Sequence, residues 1–267
     1  MQDNPLAAPS SAGKRISIIT VVWNGENLLP GTMESVRQQT WPFMEYIVVD
    51  GASKDATLEA IRLFEAEMPY LRWVSEPDKG LYDAMNKGLQ MATGDFVWFL
   101  NAGDHLYSPV TVEQLAEHIR DHTDVLYGDT MLVNEKRIPM GLMSEISTRS
   151  LPRRLTTRHY LGGMRVVHQS FIARRAICPD YRLDNLCADY DWCLKILEKS
   201  RENAYTGLVL SNYLMGGLSK KRHRQSLKDR FTIMRAHFGL LRTLLAHVLI
   251  VLRALLHRWR RLGKPQY

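Results

Sequence analysis

The chain has 267 residues, 45% of them hydrophobic and 24% charged, which is typical of a globular protein with a buried core. No window in residues 1–200 has the ~18 uninterrupted apolar residues that a membrane-spanning helix needs. Residues 1–14 are polar and lack the apolar segment of a signal peptide, so we expect a disordered lead and a cytoplasmic protein. The three cysteines form no Cys-x-x-Cys pair, which argues against a structural zinc site.

The net charge of +7 is unevenly distributed along the chain. Residues 214–267 contain 13 Lys and Arg and a single acid, Asp229, which gives this segment a charge of +12. The remaining residues together carry −5. A basic tail of this kind binds nucleic acid without sequence specificity or anionic membrane lipid, and the composition leaves both partners open.

Hydrophobic periodicity predicts alternating strands and helices through the first half of the chain. The predicted elements are strand 16–22, helix 27–39, strand 46–49, helix 56–67, strand 71–75, helix 81–91, strand 96–100, helix 112–120 and strand 125–127. This alternation indicates a parallel sheet covered by helices on both faces. Because ligands of such sheets bind beyond the carboxyl ends of the strands, Asn24, Asp50, the segment after Ser75 and residues 101–104 should meet in one crevice.

The alternation weakens after about Met131. Short strands are predicted at 165–173 and 204–210, around one helix at 190–197. This change in the pattern of elements predicts that the chain before the tail has two parts.

Carboxylates are the main chemical feature of the predicted strand ends. The chain has no Gly-x-Gly-x-x-Gly after a strand and no complete P-loop, so dehydrogenase and kinase functions lose their main support. The acids of interest are Asp50, Asp78, Asp104, Asp189 and Asp191. A carboxylate accepts from the N–H of a base ring or holds a hard cation bridging phosphates, although each of these acids alone is equally compatible with a turn or a helix cap.

Seven sequence segments, in this order, resemble a known enzyme family. SIITVVWN (17–24), YIVVDGASKDAT (46–57), EPDKGLYDAMNKG (76–88) and ATGDFVWFLNAGD (92–104) resemble the successive motifs of family 2 glycosyltransferases with the GT-A fold. VVHQSFIARR (166–175), CADYDWCLKI (187–196) and MGGLS (215–219) resemble the subgroup found in capsule and colanic-acid-type exopolysaccharide clusters. The resemblance covers about residues 16–219.

The resemblance implies a doubly wound, mostly parallel, Rossmann-like α/β sheet with a smaller acceptor-side region. It divides the chain into a nucleotide-sugar-binding half (15–130), an acceptor half with the catalytic base (131–222) and a basic helical tail (223–267). It implies inverting, metal-dependent transfer of a hexose-type sugar to a lipid-linked glycan acceptor in cell-surface polysaccharide biosynthesis. The expected donor is a UDP-sugar, with GDP- and dTDP-sugars as alternatives.

The resemblance assigns nucleotide binding to Thr20, Val22, Asn24, Asp50, Asp78, Lys79 and Asn101. Asp50 matches the acid that binds the nucleobase. This chain has Asp50-Gly51-Ala52-Ser53 where the family often has Asp-Asp-Gly-Ser. Because an aspartate here accepts from uracil N3–H and equally from guanine N1–H, the donor base stays open.

The metal motif of the family falls on residues 101–104. Asn101 and Gly103 stand where acids are usual, so Asp104 is the expected ligand of Mn²⁺ or Mg²⁺. Such an ion would neutralise charge on the leaving diphosphate. Asn101 would contact ribose or an ordered water.

Asp189 is the expected general base, because it aligns with the acid of the family's Glu-Asp pair. An inverting displacement needs one carboxylate to take the proton of the acceptor hydroxyl. Ala188 replaces the first acid of the pair, and Asp191 is the alternative base. His168 and Gln169, in a predicted strand, and Trp192 are the candidate acceptor-side residues. His168 is at least equally compatible with a structural role, and the pattern favours a core position for Trp192 over stacking on a sugar.

The tail carries a helical stripe of apolar residues, at 241, 244, 245, 248, 249, 252, 255, 256 and 259. Basic residues flank it, which is typical of an amphipathic helix in a membrane interface. Packing on the body or on a partner subunit is the alternative. We therefore expect peripheral association with the inner face of the cytoplasmic membrane and no nucleic-acid partner.

Two other functions stay open at this stage. A sugar-phosphate nucleotidyltransferase would share the fold but needs a Gly-rich basic loop after the first strand, which residues 23–26 do not supply. A non-catalytic protein that binds through its basic tail is the second alternative.

Overall fold

The computed structural model describes residues 13–147, 150–216 and 222–262, with side chains as far as Leu252. The strands are β1 (Ile16–Val22), β2 (Met44–Asp50), β3 (Leu71–Ser75), β4 (Phe96–Phe99), β5 (His105–Leu106), β6 (Thr123–Val133), β7 (Pro139–Leu142), β8 (Phe171–Arg174) and β9 (Glu202–Leu214). The α-helices are α1 (Leu29–Arg37), α2 (Thr57–Glu65), α3 (Leu81–Met91), α4 (Thr111–Ala116), α5 (Met143–Ile146), α6 (Ala188–Lys199), α7 (His223–Phe238) and α8 (Leu240–Leu262). Short 3-10 helices lie at Thr157–Gly162, His168–Ser170 and Arg175–Ile177. The predicted lead at 1–14 and the motif at 215–219 lie mostly outside the described residues.

The first four strands pair in parallel in the order β3-β2-β1-β4. The register sets Val22 beside Asp50, and Asp50 beside Ser75. Ile19 of β1 is paired with Phe99 of β4. The carboxyl ends of these strands therefore lie at one edge of the sheet, as the alternation of strands and helices predicts.

Beyond β4 the sheet becomes mixed. β8 runs antiparallel to both β4 and β6, whereas β9 runs parallel to β6 and antiparallel to β5. The predicted strands 125–127 and 204–210 lie within the longer β6 and β9. β6 crosses the expected boundary between residues 130 and 131, so the two halves share one sheet.

The predicted strand 165–173 is wrong over most of its length. His168–Ser170 form a 3-10 helix, and strand β8 begins only at Phe171. The Ser170 N–H donates to the Val167 carbonyl within this turn (2.8 Å), so it is not available to the ladder, and the Ser170 hydroxyl donates to the carbonyl of Asp129 in β6 instead (2.9 Å). A side chain therefore makes the cross-strand bond that a backbone N–H makes in a regular ladder.

Helices cover both faces of the sheet and confirm the expected layers. One core contains Leu29 of α1, Ile61 of α2 and Val112 of α4. The core on the other face contains Leu89 of α3 and Trp192 of α6. Because both faces are covered, β1 and β2 are buried along their whole length.

The helical tail bends at Gly239, whose φ of 80° ends α7 in the left-handed conformation that glycine favours. α8 packs on the body through the buried Thr243 and Ala246. The apolar stripe is exposed as far as Leu252, with Leu241 72% exposed and Leu245 56% exposed. The side chains at 255, 256 and 259 lie outside the described residues. Within the part that the structure describes, no helix is both long and apolar enough to cross a membrane.

An ion-pair cluster joins α7 to α6. Nε2 of His237 lies 2.8 Å from Oδ1 of Asp191, and its Nδ1 lies 2.6 Å from Glu198. Lys195 contacts the other oxygen of Asp191 at 2.8 Å. Hydrogen bonding to Asp191 is the main reason that the pKa of His237 is raised, against the opposing effect of burial.

This cluster predicts a pH-dependent effect of His237→Gln. A histidine with a raised pKa stabilises the fold fully below its unfolded-state pKa, and the contribution disappears as the pH rises through the folded-state pKa. We expect the substitution to lower the melting temperature more at about pH 6 than at about pH 9. Thermal melts of the exposed His122→Gln variant provide the control. An equal loss at both pH values would contradict the prediction.

Candidate active site

The carboxylate of Asp50, at the end of β2, lies in a dense hydrogen-bond network. Oδ2 accepts from the Ser53 N–H (2.9 Å) and from the Ser75 hydroxyl (2.6 Å), and Oδ1 accepts from the Ser53 hydroxyl. A carboxylate has about four lone-pair sites, so these bonds leave roughly one for a further N–H donor. Asp50 is fully buried, so a ligand can reach it only if the residues around it move.

Gly51 lies in a narrow gap between Trp23 and Asp78. A Cβ atom at this position would be 2.6 Å from Oδ2 of Asp78 and 3.4 Å from the ring of Trp23. Trp23 is 69% exposed, which is unusual for such a large aromatic residue. Trp23 is not among the site residues predicted from the sequence; its position at the end of a buried strand, directly before Asn24, is the signal that could have identified it.

The loops after β1 and β2 are bonded to each other. The Asn24 N–H donates to the Ser53 hydroxyl oxygen (2.7 Å), and Oδ1 of Asn24 accepts from the Lys54 N–H (2.9 Å). Asn24 and Ala52 both have left-handed backbone, with φ of 48° and 58°. This conformation costs about 1–2 kcal/mol in a residue other than glycine, and it is concentrated at ligand sites.

Thr20 and Val22 point into the core instead of the crevice. The Thr20 hydroxyl donates to the Leu100 carbonyl (2.6 Å) and accepts from Tyr46 (3.0 Å), and the residue is fully buried. Val22 is also buried, close to Gly25. The structure therefore gives both side chains a role in packing the sheet. Lys79 is exposed next to the crevice.

Asp104 connects the 101–104 loop to the second half of the sheet. Oδ1 accepts from the Leu214 N–H and Oδ2 from the side-chain amide of Gln169, both at 2.9 Å. Burial raises the pKa of Asp104 to about 7, although these bonds and the Arg137 guanidinium oppose the shift. Arg137 also donates to the Gly103 carbonyl (2.5 Å), which fixes the loop from the outside.

Two amide oxygens next to Asp104 are buried without a hydrogen-bond partner in the described structure, Oδ1 of Asn101 and Oε1 of Gln169. Carboxylate and amide oxygens are suitable ligands for Mn²⁺ and Mg²⁺. The described residues contain no cluster of three or more His, Cys, Asp or Glu that could hold a metal. The oxygens of Asp104, Asn101 and Gln169 are therefore of the chemical type that would hold such a cation.

Asp189 is half-buried in the first turn of α6. Its Oδ1 accepts from the Tyr190 N–H (2.9 Å) and lies 3.3 Å from the hydroxyl oxygen of Tyr82 in α3. Burial raises the pKa of Asp189, and the nearby Arg230 opposes this shift. Tyr82 lies just after the Asp78 loop, so it connects the nucleotide side of the crevice to Asp189. A carboxylate with a raised pKa is suited to accept a proton.

Asp191, the alternative base, has a different environment. It is buried, and both of its oxygens are paired, with His237 and Lys195. Burial alone would raise its pKa, but the hydrogen bonds from His237 and Lys195 outweigh burial and lower it. These contacts assign Asp191 to the α6–α7 interface and favour Asp189 as the base.

His168 and Trp192 belong to an aromatic cluster in the core. A ring nitrogen of His168 lies 2.7 Å from the Tyr181 hydroxyl, and burial lowers the pKa of His168 to about 4. Trp192 stacks on Tyr181 with ring centroids 5.0 Å apart and donates to the Pro179 carbonyl. Both rings are almost fully buried, so neither offers a face to a sugar. Of the three candidate acceptor residues, only Gln169 contacts the expected metal ligand.

Comparison with known proteins identifies the family. The sequence model described as glycosyl transferase family 2 matches residues 17–181, more than half of the chain. The protein is therefore a glycosyltransferase, an enzyme that transfers sugars. It belongs to glycosyl transferase family 2.

Curated relatives have the same class of activity in their names. The chain is 30% identical over 217 residues to the PGL/p-HBAD biosynthesis glycosyltransferase of Mycobacterium bovis, which covers 78% of this chain and 80% of the relative. It is 34% identical over 190 residues to an uncharacterized glycosyltransferase of Mycobacterium tuberculosis, with 67% and 68% coverage.

Solved structures share the fold. The TarS 1–349 fragment of S. aureus, in complex with UDP-GlcNAc, has a TM-score of 0.67 and 20% identity and covers 83% of this chain. This chain spans only 65% of the length of that fragment. The mannosyltransferase PcManGT from Pyrobaculum calidifontis, in complex with GDP-Man and Mn²⁺, has a TM-score of 0.65 and 18% identity, with 97% and 84% coverage. The expected α/β GT-A fold is confirmed.

Proposed function

We propose that the protein is an inverting, metal-dependent glycosyltransferase of capsule- or colanic-acid-type exopolysaccharide biosynthesis that transfers a sugar to a lipid-linked glycan. The observation that carries this proposal is the environment of Asp189, a half-buried carboxylate that lies 3.3 Å from the Tyr82 hydroxyl and whose pKa burial raises. A base of this kind at the edge of the nucleotide crevice takes the proton of the acceptor hydroxyl as the anomeric carbon is attacked.

The donor nucleotide binds, in this proposal, where the loops after β1, β2 and β3 meet. The nucleobase of the donor lies against the exposed ring of Trp23, and an N–H of the nucleobase donates to the remaining acceptor site of Asp50. The gap between Trp23 and Asp78 around Gly51 is narrow, so these two side chains move apart to admit the nucleobase. Lys79 reaches the phosphates. A UDP-sugar is the first choice of donor, with GDP- and dTDP-sugars as alternatives.

Asp104, together with the oxygens of Asn101 and Gln169, is the proposed holder of Mn²⁺ or Mg²⁺. When bound there, the ion supplies positive charge to the leaving diphosphate. Residues 15–130 then act as the nucleotide half of the sheet, and residues 131–222 as the acceptor half with the base.

The exposed stripe of α8 supports attachment of residues 223–267 to a membrane. Leu244, Leu245, Val248 and Leu249 form an apolar face that the body does not cover. Arg242 lies beside them and is also exposed. An apolar face flanked by basic residues binds the interface of an anionic bilayer. Attachment to the inner face of the cytoplasmic membrane would bring the crevice to a lipid-linked acceptor.

A donor screen tests the nucleotide site. The melting temperature is measured with UDP-, GDP- and dTDP-sugars, with and without Mn²⁺; a donor at 100 times its dissociation constant adds about 2.7 kcal/mol of stability. We expect one nucleotide class to stabilise the protein. Because base stacking contributes about 1–3 kcal/mol, Trp23→Ala should reduce this effect. Phe43→Ala, which removes another exposed aromatic ring, is the matched control. The proposal fails if every donor leaves the melting temperature unchanged.

Substitutions of Asp189 and Asp191 test which of these two carboxylates is the general base. We expect Asp189→Asn to slow transfer about 10²- to 10⁴-fold and to keep the donor-induced rise in melting temperature. Asp191→Asn should mainly lower stability, because it weakens the contacts to His237 and Lys195. Transfer is followed as nucleoside diphosphate release with a lipid extract as the acceptor source. Normal transfer by the Asp189 variant would exclude it as the base.

Vesicle binding tests the role of the tail. We expect the full chain to co-sediment with vesicles of phosphatidylglycerol and phosphatidylcholine more than with phosphatidylcholine alone. The double substitution Leu245→Gln/Leu249→Gln should abolish this binding, because it removes apolar area from the exposed face. Leu63→Gln replaces an exposed leucine of α2 and serves as the control. Equal binding of all three proteins would contradict membrane attachment through α8.

A further inference from the structure

The single acid of the basic tail is buried. Asp229 lies in the middle of α7 and is 8% exposed, although the surrounding segment is strongly cationic. A buried carboxylate is costly unless hydrogen bonds stabilise it. The hydrogen-bond partners of the Asp229 carboxylate therefore indicate its structural role.

Asp229 is bonded to the segment that leads into α6. Its Oδ2 accepts from the Leu186 N–H (2.8 Å), and its backbone carbonyl accepts from the side-chain amide of Asn185 (3.3 Å). Its Oδ1 accepts from Gln225 of its own helix (2.6 Å), which holds the carboxylate in this orientation. One residue of α7 therefore bonds two consecutive residues just before the helix that carries Asp189.

α3 holds the same segment on another side. The Tyr82 hydroxyl donates to the Leu186 carbonyl (2.9 Å) and contacts Asp189 at 3.3 Å. The thiol of Cys187 contacts the Ser226 hydroxyl of α7 at 3.3 Å. Leu186 thus has its N–H fixed by α7 and its carbonyl fixed by α3, three residues before Asp189.

We propose that Asp229 is a positioning residue for sugar transfer, which fixes residues 185–187 so that Asp189 faces the acceptor hydroxyl. This inference rests on the proposed role of Asp189 as the general base. It gives the tail a second role, because α7 supports the catalytic side of the crevice while α8 presents the exposed apolar face. Misplacement of a reacting group by about 1 Å costs up to 10²-fold in rate, so a small shift of this segment has a measurable effect.

The test compares Asp229→Ala with Asp229→Asn in the full chain. The probe is nucleoside diphosphate release from UDP-GlcNAc and from GDP-mannose with Mn²⁺, with the same lipid extract as the source of the acceptor hydroxyl. We expect Asp229→Ala to lower kcat roughly 10- to 100-fold and to leave the KM for the donor unchanged, because the nucleotide loops lie on other elements. Asp229→Asn should recover part of the rate, since its amide oxygen still accepts from Leu186. Asp184→Asn, at an exposed acid close to the same segment, is the matched control with unchanged kinetics.

The pH dependence of kcat distinguishes positioning from simple loss of stability. Loosening residues 185–187 admits water to Asp189, which lowers a pKa that burial raises. The acid limb of the profile should therefore move to lower pH in Asp229→Ala. A kcat and a pH profile equal to those of the wild type would overturn the proposal.

Amide hydrogen exchange at Leu186 separates this proposal from the proposed function. Exchange should be faster in Asp229→Ala, because the amide loses its acceptor. If the wild type releases no diphosphate from either donor, sugar transfer from these donors is refuted. Unchanged amide exchange at Leu186 in Asp229→Ala would separately overturn the proposal that Asp229 fixes residues 185–187. If Asp229→Ala does not fold, Asn185→Ala removes the partner of the Asp229 carbonyl from the other side. A wild-type kcat in that variant would also count against positioning.

Discussion

The parallel pairing of β1 with both β2 and β4 is the constraint on which the rest of the site depends. It sets the ends of these strands at one edge of the sheet, so the loop at Asn24, the network of Asp50 and the 101–104 loop become neighbours. Both faces of the strands are covered by helices, which makes the edge the only part of these strands where polar groups can meet a ligand. The left-handed residues Asn24 and Ala52 show that the backbone at this edge is held in a costly conformation.

The side of the crevice that carries Asp189, the proposed general base, is formed by packed helices and not by strand ends. Asp189 does not end a strand; it lies in the first turn of α6, and its position depends on Tyr82 in α3 and on Asp229 in α7. These contacts connect parts of the chain that are far apart in sequence. The surroundings of Asp189, the proposed base, therefore depend on the packing of three helices, one of which (α7) belongs to the tail.

Asp189 and Asp191 show how environment separates two acids of the same helix. Residues two apart on a helix point to nearly opposite sides. Asp189 faces Tyr82 and has a raised pKa, whereas Asp191 faces α7, where His237 and Lys195 lower its pKa. One carboxylate is thereby suited to accept a proton, and the other is committed to holding two helices together.

The sequence by itself determined the parallel half of the sheet, the acids at its edge and the helical stripe of the tail, because these follow from local periodicity and strand composition. It did not determine the 3-10 turn at His168–Ser170, the burial of Thr20, or the exposure of Trp23. It also did not determine the different surroundings of Asp189 and Asp191. Only the tertiary structure decided these points, because each depends on partners that are distant along the chain: Asp129 for Ser170, Leu100 for Thr20, and α3 and α7 for the two acids.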